Sequence, residues 1–354
     1  MLANVILNLF QDLYNFLIFA SMKAILLIQL GTPDAPEKGD VKRYLKEFLN
    51  DPRVIDYPSL KRSILVNGII IPARLNNSTE IYKKVWTDKG SPLLYHTTEL
   101  AKKLQKEMGE GYLVKFAMRY QNPSLTSVLE ELEKLPLEEL VVVPLYPQYA
   151  SSSTGSTTQR VLELVSKWET IPTVRFVNRF FDDEGYISCV AEQGLKHNWK
   201  EYDKVVFSFH GLPERHITKG CKVKGCTKEA CISQCGDDRK YCYRSSCYET
   251  ARRVSAKMNI PEDKYMVVFQ SRLGKDPWIQ PFADVELVNL AKTGAKKLLF
   301  FSPAFVADCL ETIVEIGQEY NEIFHQNGGE KVQLVESLNS NDSWVKALKS
   351  IVEK

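Results

Sequence analysis

Short apolar runs alternate with amphipathic segments along most of the chain. The apolar runs lie at 24–30, 113–118, 140–145, 205–209, 265–269, 298–302 and 332–335. Helical spacing of apolar residues is found at 41–49, 97–108, 124–134, 158–168, 249–258, 283–292, 308–324 and 344–352. Apolar strands separated by amphipathic helices are typical of parallel sheets covered by helices on both faces. The pattern therefore predicts an α/β protein.

The two halves of the chain follow the same scheme, which predicts two similar doubly wound domains. Gly31-Thr32-Pro33 ends the first strand of one half, and Gly211-Leu212-Pro213 follows strand 205–209 in the other. We predict domains at 22–190 and 191–335, an extension at 1–21 and a C-terminal helix within 336–354. Ligands bind beyond the carboxyl ends of parallel strands. We therefore expect the polar strand ends to meet in one cleft between the domains.

Composition and charge exclude several classes of function. The chain has 46 basic and 44 acidic residues, a net charge of +2, which argues against nucleic acid because phosphate binding requires a basic excess. Residues 31–33 are too short for a phosphate loop, and residues 152–156 contain no Lys, so no nucleotide is expected. No secretory signal is evident. We expect a cytoplasmic protein.

The first 21 residues differ from the rest of the chain. They are mostly apolar, with Asp12 as the only charge, and amide side chains interrupt the apolar run. A spanning helix requires about 20 mostly apolar residues, and the Lys and Arg flanks of an anchor are missing. Three interpretations stay open: an amphipathic surface helix, a segment upstream of a true start at Met22, and a membrane span.

A histidine and a row of carboxylates are candidates for chemistry. His210 ends an apolar strand, where a neutral imidazole suits a metal ligand or general base; the alternative is a histidine that satisfies a loop carbonyl. Asp308, Glu311, Glu315 and Glu319 would form one stripe on an α-helix. That stripe is either a path for a cation or protons, or a solvated face. Together with His210 it would suit a loosely held dication such as Fe²⁺.

Aromatic residues recur at the strand ends and predict the walls of a large flat ligand site. They are Tyr120, Tyr146, Tyr149, Trp278 and Phe305. Singly each is better explained by packing, but with Leu30 and the apolar residues 69–71 they would wall a flat ligand. Arg119 and Arg272 would bind its carboxylates.

Six of the eight cysteines fall between positions 221 and 247. They are Cys221, Cys226, Cys231, Cys235, Cys242 and Cys247. Clustered thiols in an intracellular enzyme favour metal or redox chemistry over disulfides, although inert thiols and disulfides stay open. The absence of a C-x-x-C pair weakens zinc-finger and thioredoxin interpretations. Irregular spacing is compatible with an iron–sulfur cluster, whose negative charge would be offset by Lys219, Lys222, Lys224 and Lys228.

With these residues in hand, the chain from about 23 to 352 resembles the ferrochelatases, which insert Fe²⁺ into a porphyrin in the last step of haem synthesis. The resemblance is closest to the enterobacterial type. The matching segments, in chain order, are 30–36, 41–45, 90–93, Pro144-Leu145-Tyr146-Pro147-Gln148-Tyr149, His210-Gly211-Leu212-Pro213, 269–272, 277–278 and 305–312. So many matches in the right order are highly specific.

The resemblance implies two Rossmann-like domains around a porphyrin cleft, with no nucleotide. The catalytic motif residues fall on His210 and Glu311, which would face the centre of the macrocycle and handle the incoming Fe²⁺ and the departing pyrrole protons. Asp308 and Glu315 fall on an acidic path that leads away from that pair. The porphyrin-binding positions, with Tyr149 added from its strand end, are Leu30, Arg119, Tyr120, Tyr149, Trp278 and Phe305.

Two features depart from the family pattern. Cys309 stands where many relatives carry another residue, often histidine, and is either a soft contact to iron or a buried bystander. The insert at 219–247 is longer than the corresponding enterobacterial loop, whose turn resembles residues 236–238. Some ferrochelatases carry a 2Fe–2S cluster, mostly through C-terminal cysteines, and this chain has none after Cys309. The insert resembles variants with internal ligands, with four of the six cysteines as ligands. Cys247 matches a cysteine of the enterobacterial relatives and need not be a ligand.

The resemblance thus implies a ferrochelatase whose substrates are protoporphyrin IX and Fe²⁺. One alternative is a chelatase for another metal, such as cobalt, or another tetrapyrrole. The other is a haem- or iron-binding sensor with the cysteines as its redox input. Porphyrin and haem partition into bilayers, so a peripheral membrane contact is also expected.

Overall fold

The structure, a computed structural model, describes residues 22–223, 226–233, 235–272, 274 and 276–354. The predicted N-terminal extension at 1–21 and the predicted charge-compensating Lys224 lie outside these ranges. The described residues form two four-stranded sheets in which every strand pair is parallel.

The first half of the chain builds one sheet with helices on its faces. Its strands, paired in the order β2-β1-β3-β4, are β1 (Met22–Gly31), β2 (Tyr112–Tyr120), β3 (Leu137–Pro144) and β4 (Thr173–Phe176). Its helices are α1 (Lys38–Leu49), α2 (Ser59–Leu65), α3 (Ile71–Val85), α4 (Pro92–Met108), α5 (Leu125–Leu132) and α6 (Ser156–Val165). Short π-helical segments, Val66–Ile70 and Ser151–Gly155, precede α3 and α6.

The second half repeats the same strand order. Its strands, paired as β6-β5-β7-β8, are β5 (Lys204–His210), β6 (Tyr265–Gln270), β7 (Lys297–Phe301) and β8 (Lys331–Leu334). Its helices are α7 (Glu184–Leu195), α8 (Glu214–Gly220), α9 (Lys228–Ser233), α10 (Tyr243–Lys257), α11 (Ala283–Lys292), α12 (Asn321–Gln326) and α13 (Asp342–Glu353). A π-helix, Glu311–Tyr320, leads into α12, and 3₁₀ turns lie at Trp199–Glu201, Asp237–Arg239 and Glu262–Lys264.

The predicted doubly wound architecture is confirmed, and the differences have local causes. Strand β4 was not predicted because it is only four residues long and none of them is fully buried. The apolar stretch at 63–75, which Asn67-Gly68 and Pro72 interrupt, lies in helical backbone that continues from α2 through the π-helical segment into α3. Pro72, which lacks a backbone N–H, directly follows the π-helical segment and Ile71, where the regular α-helical hydrogen-bond pattern is already interrupted.

One apolar core joins the two sheets. It contains Ile25 and Leu27 of β1 together with Phe207 and Phe209 of β5. The C-terminal helix α13 packs on both α4 and α7 and buries Trp344 completely against the rings of Phe180 and Tyr186. The predicted boundary between residues 190 and 191 lies within α7. The halves are therefore held side by side over a continuous apolar layer.

Gly31 allows the ends of β1 and β2 to approach closely. Its φ is +117°, and a Cβ atom there would lie 2.0 Å from the carbonyl oxygen of Tyr120. Only glycine combines that dihedral with that contact. The close approach places Leu30 beside Tyr120 in one apolar cluster, at the carboxyl edge of the first sheet.

Candidate active site

His210 is the last residue of β5 and lies at the carboxyl edge of the second sheet. Its Nδ1 is 2.7 Å from the carbonyl oxygen of Gly211, and Tyr243 Oη donates to the His210 carbonyl at 2.8 Å. A carbonyl only accepts, so Nδ1 carries the hydrogen and Nε2 is the basic nitrogen. The imidazole is therefore held in the tautomer that a proton acceptor or metal ligand requires.

The loop after His210 is paired with the segment that carries Trp278. Pro213 and Trp278 form an antiparallel bridge, and the Ile279 amide donates to the Leu212 carbonyl at 2.9 Å. A Cβ on Gly211 would lie 3.3 Å from the Trp278 indole and 3.0 Å from the Gln270 carbonyl oxygen. The histidine and the tryptophan thus belong to one compact wall of the cleft.

The four carboxylates predicted to form one stripe do not share one helix face, because the helix that carries Glu311, Glu315 and Glu319 is a π-helix. Residues 311–320 are π-helical, which alters the angular spacing assumed for an α-helix. Asp308 precedes the helix, and Glu319 is exposed to solvent. Gln270, which pairs with His210 between β5 and β6, donates its Nε2 to Glu315 Oε2 at 3.0 Å and to the Glu311 carbonyl at 3.4 Å. The predicted row of four is thus reduced to Glu311 and Glu315, which are both joined to the strand partner of the histidine.

Glu315 is partly buried in a network of donors from the end of β6, from the residue after it and from its own helix. Its Oε2 accepts hydrogen bonds from Ser271 Oγ at 2.5 Å and Gln270 Nε2 at 3.0 Å, and its Oε1 accepts one from Tyr320 Oη at 3.2 Å. Buried Ser208 donates to Gln270 Oε1 at 2.7 Å and so orients that amide. Burial raises the pKa of Glu315 despite these donors. The carboxylate is therefore poised to take up a proton.

Substitution of Glu315 by Gln should stabilise the fold, and the gain should grow as pH rises. With its pKa raised, Glu315 binds protons more readily in the native state than in the unfolded chain. Wild-type stability therefore falls as pH rises past the ordinary carboxyl pKa. The Gln variant avoids this loss, and the Ser271 and Tyr320 hydroxyls can reorient to its amide.

Urea denaturation of both proteins measures the difference in their free energies of unfolding. The measurements run from about pH 4 to about pH 8, which brackets an ordinary and a raised carboxyl pKa. Exposed Glu319→Gln is the matched control on the same helix and should show a flat difference. A Glu315→Gln gain that is largest at the acidic end would contradict the expected direction.

Glu311 faces tyrosines of the first half across the cleft. The rings of Tyr44 and Tyr82 meet edge to face with centroids 5.9 Å apart. Burial raises the pKa of both phenols, and the Glu311 carboxylate raises both further. Cys309 is buried beside the same carboxylate, and burial raises the pKa of its thiol. Glu311 thus lies where helices of the first half meet the π-helix of the second.

Asp308 is held by hydrogen bonds to other residues of the protein. Its Oδ2 accepts from Asn339 Nδ2 at 2.7 Å, and its Oδ1 accepts from Thr312 Oγ1 at 3.2 Å and from the Ser337 amide at 3.3 Å. Its own amide donates to Asn339 Oδ1 at 2.9 Å. The residue therefore ties the start of the π-helix to the loop at 337–339.

The first-half wall of the cleft is organised by buried Asp51, which follows α1. Its Oδ2 accepts hydrogen bonds from Arg119 Nη2 at 2.6 Å, Tyr120 Oη at 2.9 Å and Ser156 Oγ at 2.6 Å. The guanidinium of Arg119 also lies over the Tyr120 ring, 4.6 Å from its centroid. The predicted carboxylate-binding Arg119 is thus fixed by a carboxylate of the protein itself.

The other predicted pocket residues are distributed around the cleft. Phe305 packs near Leu93 and Cys309. Tyr149 meets Tyr241 edge to face at 5.2 Å. Arg272, predicted to bind a ligand carboxylate, instead forms a two-point pair with Asp284, each contact at 2.7 Å.

Four of the six clustered cysteines converge. Cys226 Sγ is 3.0 Å from Cys231 Sγ, which is 3.8 Å from Cys242 Sγ. Cys221 interacts with both Cys226 and Cys242. A hydrogen bond with Cys231, and then the Arg239 guanidinium, lower the pKa of Cys226. Cys242 is the N-cap of α10.

The remaining two cysteines of the insert point elsewhere. The Cys235 thiol interacts with Ser245, and burial raises its pKa. Cys247 is completely buried in the main core beside Tyr243. The expected lysine neighbours also differ, because Lys219 is paired with Asp56 and Lys228 with Glu214. Within the described ranges, no three His, Cys, Asp or Glu side chains are arranged to hold a single metal ion.

Sequence reasoning missed the residues that orient the site. Gln270 and Ser271 carried a signal, since they are polar and lie at the end of strand β6 and directly after it. Ser271 has a φ of +56°, a left-handed conformation that is uncommon outside glycine and is found at functional sites. Asp51 and Tyr82 carried no such signal, because single residues in a loop and a helix have no periodicity to identify them.

The sequence is similar to known proteins over nearly its whole length. A family model described as Ferrochelatase matches residues 22–354. A ferrochelatase of Coxiella burnetii (strain Dugway 5J108-111) is 40% identical over 333 residues, 93% of this chain and 93% of that protein. A ferrochelatase of Legionella pneumophila (strain Lens) is 40% identical over 336 residues, 94% of this chain and 99% of that protein.

A solved structure is similar in fold. The sirohydrochlorin chelatase SirB from Bacillus subtilis subspecies spizizenii, in complex with cobalt, matches with a TM-score of 0.50 and 13% identity over 94% of each chain. At that identity the likeness concerns the fold alone. It agrees with the two parallel sheets described above.

Proposed function

The chain belongs to the ferrochelatase family, and we infer that it is a lyase that inserts Fe²⁺ into protoporphyrin IX to form protohaem. Haem synthesis ends with this step. Within the molecule, the supporting observation is the group formed by His210, Glu311 and Glu315 at the edge of the second sheet, facing aromatic residues of the first half.

We propose His210 as the base that receives a pyrrole proton. Two N–H protons must leave the macrocycle as the metal enters, so a base close to the ring is required. The Nδ1–H of His210 is held by the Gly211 carbonyl, which leaves Nε2 to accept the proton. The paired Trp278 segment supplies a flat apolar surface beside it.

Glu311 and Glu315 are proposed to share the protons and the incoming Fe²⁺ with His210. Glu311 is joined through its carbonyl to Gln270, the strand partner of His210, and its carboxylate faces Tyr82 of the first half, so it is assigned to the macrocycle centre. Glu315, whose pKa burial raises, is assigned to carry a proton away. Leu30, Arg119, Tyr120, Tyr149, Trp278 and Phe305 are proposed as porphyrin contacts. Asp308, with its Asn339 and Thr312 bonds, is proposed as a support for this path.

An anaerobic steady-state assay with protoporphyrin IX and Fe²⁺ tests the function. We expect conversion of the porphyrin spectrum to that of haem with saturation in both substrates. A protein that used Co²⁺ with protoporphyrin and not Fe²⁺ would be a chelatase for another metal. A sensor would bind the porphyrin and show no turnover.

We also propose that Cys221, Cys226, Cys231 and Cys242 hold a 2Fe–2S cluster. The fit rests on the distances from Cys231 Sγ to Cys226 Sγ, 3.0 Å, and to Cys242 Sγ, 3.8 Å. The Arg239 guanidinium and the N-terminus of α10 lie beside these thiols. In such a cluster each iron takes two thiolates, so the four need not surround one ion. When bound, it supplies a one-electron redox centre and a link between the insert and α10. The free thiols of the described chain fit a reducing cytoplasm.

A membrane-contacting edge is proposed on the helical region that runs from α2 through the π-helical segment Val66–Ile70 into α3. Leu60, Ile64 and Ile69 are 75%, 61% and 60% exposed, and Lys61 and Arg74 on the same region are exposed cations suited to anionic lipid. The buried side of this region packs through Leu75 and Tyr82 into the apolar cluster that contains Leu30 and Tyr120. In the described residues, helices are too short or too polar to cross a bilayer.

Replacement of both Leu60 and Ile64 by Glu should reduce binding to vesicles of anionic phospholipid by at least about tenfold, because each buried aliphatic side chain contributes roughly 1.5–3 kcal/mol. Vesicle sedimentation measures the partition. Leu195→Glu is the matched control, since Leu195 is 60% exposed on α7. Equal loss from the control, or no loss from the double variant, would remove this edge as the contact.

A further inference from the structure

Arg215, the second residue of α8, joins two segments that are far apart in the sequence. Its Nε and Nη2 lie 2.9 and 2.8 Å from Asp56 Oδ1, and its Nη1 donates to Asp276 Oδ2 at 2.6 Å. The planar guanidinium presents donors along two edges, so one side chain can bridge two carboxylates. The bridge lies outside the group formed by His210, Glu311 and Glu315.

The Asp56 end of the bridge belongs to the first-half wall. Asp56 lies in the connection between α1 and α2, five positions after Asp51, which holds Arg119 and Tyr120. Asp56 also bonds to Lys219 of α8. Although burial raises it, the pKa of Asp56 is held well below its usual range by Arg215 and Lys219. The loop of the first half is therefore clamped to α8 by a charged aspartate.

The Asp276 end belongs to the second-half wall. Asp276 lies two positions before Trp278, which bridges to Pro213 in the loop after His210. The Glu214 amide donates to the Pro277 carbonyl at 2.9 Å, so the start of α8 and this segment are joined by backbone as well. Arg215 therefore holds the Trp278 segment at one edge and the Asp51–Asp56 loop at the other.

We propose that Arg215 is a positioning residue that sets the separation of the two porphyrin-binding walls, an inference that rests on the proposed porphyrin pocket. The reacting groups His210, Glu311 and Glu315 are all in the second half. A loosened first-half wall therefore weakens the grip on the macrocycle and leaves the reacting groups in place. Loss of such uniform binding raises KM and leaves kcat unchanged.

Arg215→Gln should raise the porphyrin KM and the porphyrin dissociation constant by about tenfold, which corresponds to a loss of about 1.4 kcal/mol of binding free energy. The KM for Fe²⁺ and kcat should stay within about twofold. Arg215→Lys should show an intermediate loss, because an ammonium is a point charge without the fork that spans two carboxylates. Porphyrin binding is followed by fluorescence, and folding by thermal unfolding.

Arg253→Gln is the matched control, because Arg253 pairs with Glu249 on α10 and touches neither wall. Asp56→Asn and Asp276→Asn should each raise the porphyrin KM. Asp276→Asn should add little to Arg215→Gln because the two residues act through one ion pair, whereas Asp56→Asn should add a further loss because Asp56 also bonds to Lys219. Unchanged porphyrin KM and binding in a folded Arg215→Gln protein would overturn the proposal. A loss of kcat in Arg215→Gln as large as the rise in KM would also overturn it, as would an equal rise of the porphyrin KM in the Arg253→Gln control.

The same measurements separate this proposal from the proposed function. A wild-type protein that binds porphyrin without inserting Fe²⁺ would overturn the function, and the dissociation constants of the variants would still test Arg215. Normal wild-type turnover with unaffected Arg215 variants would overturn only the positioning role.

Discussion

His210→Ala should lose turnover almost completely while still binding protoporphyrin. Removal of a positioned general base typically costs about 10²–10⁴-fold in rate. The imidazole is oriented by the Gly211 carbonyl at Nδ1, and no other histidine ends a strand of the second sheet in the described residues. Porphyrin affinity should change by less than about threefold, because the walls of the cleft contribute most of the contact.

The measurement compares Fe²⁺ insertion rates with porphyrin fluorescence titrations on the same preparations. His325→Ala is the control, since His325 is exposed at the end of α12. Metallation at a near-normal rate by His210→Ala would show that another group removes the pyrrole protons.

Single substitutions should divide the six cysteines of the insert into two classes. Ser in place of Cys221, Cys226, Cys231 or Cys242 should abolish bound iron and acid-labile sulfide, since a 2Fe–2S cluster requires all four thiolates. Cys235→Ser and Cys247→Ala should retain close to two irons and two sulfides per chain, the composition of one cluster. The reason is geometric, because the Cys235 and Cys247 thiols interact with Ser245 and Tyr243 respectively.

The cluster content of each variant is measured on anaerobically purified protein by iron and sulfide analysis and by the visible absorption spectrum. Cys189→Ala controls for general thiol loss, since Cys189 is buried on α7 outside the insert. Zinc in place of iron and sulfide would replace the cluster proposal with a zinc site. Cluster loss from Cys235→Ser with retention in Cys231→Ser would show that the ligand set is wrong.

The cysteine insert illustrates how far sequence reasoning reached. Spacing identified the six candidates and excluded a pattern built on C-x-x-C pairs. It could not select four, because the selection depends on how α9 and the 3₁₀ turn at Asp237–Arg239 fold back towards α10. The same limit applies to Asp308, whose partners Asn339 and Ser337 are supplied by another loop.

The sequence by itself determined the doubly wound architecture, the strand end that carries His210, and the family. Those features follow from local periodicity and short motifs, which survive in any fold that buries the apolar runs. Only the tertiary structure decided which charges meet. Asp51 reaches Arg119 across 68 positions, and Asp56 reaches Arg215 across 159. Such pairs depend on the paths of loops between layers, and loop paths have no periodic signature in the sequence.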